Sequence, residues 1–97
     1  MSGTMELYEV SVIDSVVPRS RNAKVFVQCY ATLAASPLEA AQNVARENTV
    51  HAEDKLVVQK ADSRTISLGS RHYYPNQIEQ RVIRDGTIYT GEQITGE

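Results

Sequence analysis

The chain predicts a small single-domain α+β fold on three local signals: two runs of period-two alternation near the N-terminus, a helix start at Ser36-Pro37-Leu38-Glu39, and an Asp85-Gly86 turn near the C-terminus. A period of two buries one face of a strand, whereas a capped run with apolar residues three and four apart buries one stripe of a helix. In chain order these signals give β-β-α-β-β followed by a C-terminal β-hairpin, with one helix packed on a mostly antiparallel sheet.

Tyr8, Val10, Val12 and Val16 alternate with Glu9, Ser11 and Ser15, which predicts a first strand over 7–17. Val25, Val27, Cys29, Ala31 and Leu33 set the apolar parity of a second strand over 24–33, leaving Lys24, Gln28 and Thr32 on the other. The Pro18 to Asn22 segment between them reads as a basic hairpin loop. Ser36 then caps a helix, Pro37 suits its first position, and Glu39 can reach back to the cap. Leu38, Ala40, Ala41, Val44 and Ala45 fall within an arc of roughly 160° at 100° per residue, so the buried stripe is mostly alanine and the helix can lie close to the sheet. Asn48 and Thr49 mark its end.

Leu56-Val57-Val58 predicts a third strand, and Thr65 to Leu68 a fourth that returns through Ala61-Asp62-Ser63-Arg64; one long strand with a bulge is the alternative. Arg71-His72-Tyr73-Tyr74 has no period and reads as an ordered loop between Gly69-Ser70 and Pro75-Asn76. Ile78, Val82 and Ile83 lead into Asp85-Gly86, a two-residue turn that needs positive φ at both positions, and Thr87 to Thr90 form the returning strand. Residues 1–5 and 91–97 read as flexible ends.

At 97 residues there is room for one core, spanning 1–97, and a margin that a second copy would improve. A composition 41% hydrophobic and 23% charged is that of a folded globular chain. A net charge of −2 gives no global field to recruit nucleic acid or anionic lipid. The lone Cys29 excludes an internal disulfide, no apolar run approaches the roughly 18 residues of a membrane span, and the first residues lack signal-peptide regions, so a cytoplasmic location without a membrane partner is expected. Met5 stands as an alternative start.

Two surface segments carry candidate chemistry. Arg71, His72, Tyr73 and Tyr74 combine residue types enriched in protein-binding hot spots and able to stack on bases; they are the predicted partner-binding site. Arg19, Arg21 and Lys24 place three positive charges within six residues, suited to phosphates or an acidic protein surface, or simply to solvation of a hairpin tip. Cys29 with His51 or His72 is the minimum for thiol catalysis, but its place at an apolar strand parity makes it a core residue. Glu53 and Asp54 are adjacent, diverge on any regular element, and read as a solvated loop. No phosphate loop, nucleophile elbow or metal-ligand spacing is present in the sequence, so no catalytic residue, metal or cofactor is assigned. The expectation is a non-catalytic protein-binding module, an accessory or inhibitor protein of the kind a phage or other mobile element carries, acting on another protein and able to form a homo-oligomer. A nucleic-acid-binding module is the alternative, and a small-ligand pocket or enzyme a third.

Overall fold

The computed structural model describes residues 4–13, 25–61, 69–73 and 86–95, the segment 69–73 through its backbone. Five strands and two helices follow in the order β1 (Glu6–Ile13), β2 (Val25–Ala34), α1 (Pro37–Glu47), β3 (Lys55–Lys60), β4 (Gly69–Tyr73), β5 (Thr87–Thr90) and α2 (Gly91–Thr95). The strands form one sheet ordered β4-β2-β1-β3-β5, and all four ladders are antiparallel. β1 is therefore central: Val10 lies opposite Tyr30 of β2 on one side and Val58 of β3 on the other. The basic segment 19–24, the expected strand at 65–68 and the first arm of the expected C-terminal hairpin at 78–83 lie outside the described residues.

Pairing with β1 decides which parity of each strand meets the helix. Tyr8 and Val10 join Ala34, Leu56 and Val58 beneath Ala40, Ala41 and Val44 of α1, and Tyr89 and Ile94 pack against this core. The opposite parity carries a second buried cluster of Ile13, Val25, Val27, Cys29 and Val57. Leu56, Val57 and Val58 are consecutive and all buried because β3 is covered on both faces there, which is why they read as an unbroken apolar run. On β2 the expectation is half corrected. Val25, Val27 and Cys29 are buried, but Leu33 of the same parity is 59% exposed, and the helix side of β2 carries Gln28, Tyr30, Thr32 and Ala34.

α1 forms where its local chemistry places it. Ser36 has extended backbone (φ −152°, ψ 161°) and its Oγ accepts the Glu39 N–H at 3.2 Å, while Glu39 Oε2 accepts the Ala35 N–H at 3.2 Å. The first satisfies a donor that the helix start leaves without a partner, while Glu39 reaches one residue beyond the expected cap, to Ala35. At the other end, Asn48 closes the last turn by donating both its backbone N–H and its Nδ2–H to Val44 O. Ala40, Ala41 and Val44 are buried as expected, but Leu38 is 42% exposed: it sits at the flank of the stripe, and the sheet lies under the centre.

The C-terminal end departs further from the sequence reading. β5 pairs with β3, Tyr89 opposite Leu56 and Ile88 opposite Val57, so this strand extends the sheet edge. Gly86 has no positive φ; its smallness is required because a Cβ there would overlap Val57 Cγ1 and lie 3.1 Å from Gln59 Cγ. The segment expected to fray contains a second helix. Thr90 and Gln93 make a reciprocal cap, with Gln93 N–H donating to Thr90 Oγ1 at 3.2 Å and Thr90 N–H to Gln93 Oε1 at 2.8 Å. Gly91 and Glu92 then donate their backbone N–H groups to Asp54 O and Ala52 O at 2.8 and 3.0 Å, clasping α2 to the turn before β3. Asp54, expected in a solvated loop, is only 5% exposed: its N–H donates to His51 O and its Oδ2 accepts the His51 N–H, each at 3.0 Å, closing that turn.

Candidate functional site

The segment expected to bind a partner is, as far as Tyr73, a strand where the sequence suggested a loop. Residues 69–73 pair antiparallel with β2, placing His72 opposite Phe26, Arg71 opposite Val27 and Tyr73 opposite Val25. A backbone hydrogen-bond partner, here β2, imposes extension on a segment without its own period. Among the described residues β4 is the outermost strand on this side of the sheet. Strand alternation divides the cluster: His72 takes a register position on the face of Phe26, while Arg71 and Tyr73 take positions on the face of Val25 and Val27. Tyr74, Arg19, Arg21 and Lys24 lie outside the described residues. Phe26, beside His72 in register, is 38% exposed, an aromatic surface next to the edge.

Next to that edge, on the helix face, lies a groove of about 270 Å³. Gln28, Tyr30 and Thr32 supply its β2 wall, and Asn43, Glu47 and Asn48 its α1 wall. The two walls follow from two periods: alternate residues share a strand face, and residues four apart share a helix face. One end is closed by Asn43, whose Nδ2–H group donates to Thr32 Oγ1 at 3.3 Å and to Leu33 O at 3.2 Å, while its Oδ1 accepts from Arg46 Nη2. Tyr30 is half-buried, and this burial raises its phenol above the ordinary tyrosine range. No sequence signal singled out Gln28, Tyr30 or Glu47, because the apolar parity of β2 pointed to the other face.

A second polar cluster sits where β1 meets β3. Tyr8 Oη donates to Glu6 Oε2 at 3.3 Å, and Lys60 Nζ pairs with the same oxygen at 3.2 Å. Burial, then the Glu6 carboxylate, pushes the Tyr8 phenol above its usual value. The pair of charges is exposed to solvent and works as a surface ion pair across neighbouring strands.

Cys29 is 6% exposed, with Ser11 Oγ 3.5 Å from its Sγ, so the thiol sits inside the second buried cluster as the apolar parity predicted. Among the described residues no three His, Cys, Asp or Glu side chains converge on a point that could hold a metal ion, and no helix is long and apolar enough to cross a membrane. Comparison with protein-family models, with curated proteins and with solved structures finds no match to this chain. The functional reading therefore rests on the surface itself.

Proposed function

We propose that this chain is a non-catalytic protein-binding module of the cytoplasm, an accessory or inhibitor protein that engages its partner through the β4 edge of the sheet. The observation that carries this reading is the position of Arg71, His72 and Tyr73 on a strand that is outermost among the described residues, with Phe26 38% exposed at the neighbouring register position. A sheet edge offers a row of backbone donors and acceptors to an incoming strand, and aromatic and arginine residues are the types that dominate binding energy at interfaces. A homo-oligomer formed along the same edge is the form this reading takes if the partner is a second copy.

The test is affinity capture from native lysate at about 150 mM salt, with and without nuclease, using the natural chain and a Phe26→Asp, Arg71→Ala double variant. A protein retained after nuclease by the natural chain and lost with the variant supports the reading. Recovery that disappears with nuclease replaces it with the nucleic-acid reading, because a phosphate-driven complex needs the nucleic acid and weakens steeply with salt.

A further inference from the structure

We propose that the groove between β2 and α1 receives a guanidinium group, the arginine side chain of the protein partner. The proposal deepens the protein-binding reading, since the groove's Gln28 lies opposite Ser70 of the β4 edge in register. It starts from a charge in an unfavourable place. Glu47 is the last residue of α1, where the unpaired carbonyl groups of the final turn already carry negative partial charge and a carboxylate is the wrong partner for the helix dipole. A cation bound there relieves both at once.

The rest of the lining suits the same group. Asn48 gives one Nδ2–H to Val44 O, which keeps its Oδ1 as an acceptor that a ligand's N–H can use. Gln28 adds an amide carbonyl and Tyr30 a hydroxyl together with an aromatic ring, whose quadrupole attracts cations. The nearest described cation in sequence, Arg46, hydrogen-bonds to Asn43 Oδ1 and lines a separate groove with Gln42, Ala45 and Ile94. It leaves the carboxylate wall of this one to an incoming group. At about 270 Å³ the groove falls below the roughly 300 to 1,000 Å³ of sites for drug-sized ligands, so one side chain fits it better than a peptide segment. A planar guanidinium, with its fork of N–H donors, matches a carboxylate flanked by carbonyl acceptors better than a compact ammonium does.

The experiment is an NMR titration of the full ¹⁵N-labelled chain with N-acetyl-arginine amide, with the neutral isostere N-acetyl-citrulline amide as control. Shifts confined to the amides of 28–32 and 43–48, saturating with a Kd on the order of 10 mM as the ion pair adds to the aromatic and amide contacts beside it, support the proposal. Glu47→Gln weakens that binding about two- to fivefold, while raising the urea midpoint of the free protein because the unfavourable charge is gone; a retained fold with weakened binding is the signature of the site. Equal shifts from the citrulline derivative, no shifts from the arginine derivative, or undiminished binding by Glu47→Gln overturn it. The partner reading is judged separately: capture that survives nuclease but ignores Glu47→Gln removes the groove and leaves the β4 edge. Arginine binding with nothing captured leaves the groove and removes the edge.

Discussion

Replacing Gly91 by alanine tests the clasp between α2 and the turn before β3. The added Cβ would overlap the carbonyl oxygen of His51, lie 2.8 Å from His51 C and 3.2 Å from Ala52 Cα. All three are backbone atoms, so no rotamer change makes room; either the 51–54 turn or the start of α2 must move. Movement breaks the Gly91 N–H bond to Asp54 O and the Glu92 N–H bond to Ala52 O, each contributing about 1 kcal/mol net, and disturbs the Thr90–Gln93 cap, about 1 kcal/mol more. Against this, alanine lowers the entropy of the unfolded chain and gains about 0.4 to 1 kcal/mol. The expected net loss is about 2 to 3 kcal/mol, a fall in Tm of roughly 10 to 20 °C for a domain of this size. Urea unfolding followed by far-UV circular dichroism measures it, and amide exchange of Gly91 and Glu92 should accelerate more than that of Val10 in the central strand. A variant as stable as the natural chain, with the amides of positions 91 and 92 still protected, refutes the close approach and with it the account of why α2 forms.

Three further outcomes follow from the same contacts. Asp54→Ala should cost about 1 kcal/mol in urea unfolding, because the part-buried bond from the His51 N–H loses its acceptor, whereas Asp54→Asn keeps an acceptor oxygen and should cost less. Ser36→Ala should cost about 1 kcal/mol by removing the acceptor for the Glu39 N–H; an unchanged midpoint would mean the cap contributes nothing. Both Tyr8 and Tyr30 have phenols raised above 10.0 in the folded chain, so the folded state holds their protons more tightly than the unfolded one. That contribution is fully present below pH 10 and is lost as pH rises through the folded values. Urea midpoints above pH 10 should fall less steeply for Tyr30→Phe than for the natural chain, and an identical slope would contradict the burial of that phenol.

What the sequence disclosed was chemistry that acts over a few residues. Ser36, Pro37 and Glu39 mark the start of α1 because a cap is made by neighbours in the chain, and Asn48 marks its end for the same reason. Thr90 and Gln93 have the same three-residue spacing, yet no apolar stripe follows them. Their helix exists because Asp54 and Ala52 offer carbonyls from another part of the fold, which no local pattern reveals. Arg71 to Tyr73 are extended through pairing with Val25 to Val27, again a partner distant in sequence. The most instructive difference is β2. Val25, Val27, Cys29, Ala31 and Leu33 look like one buried face, but pairing with β1 gives the helix side to Tyr30 and Ala34, and the groove there is lined by the polar Gln28 and Thr32. A parity predicts which residues share a face and leaves open which layer covers it.

The two edges of the sheet are not equivalent, and this bears on which one a partner can use. The N–H of Thr90 donates to Gln93 Oε1, so it points away from β3; by antiparallel alternation the backbone groups of Ile88 also point away, while those of Thr87 and Tyr89 point toward β3. An added strand on β5 would therefore find the Ile88 pair and then a donor already satisfied, immediately before the chain turns into α2. Four residues with a capped end are a protected edge of the kind that resists strand addition. β4 has five residues in register with 25–29 of β2, flanked by Phe26 on one face. If β-strand addition is how this protein meets its partner, β4 is, among the described residues, the edge with room for it, and the groove at Glu47 lies on the side of the sheet where a side chain of the added segment can reach.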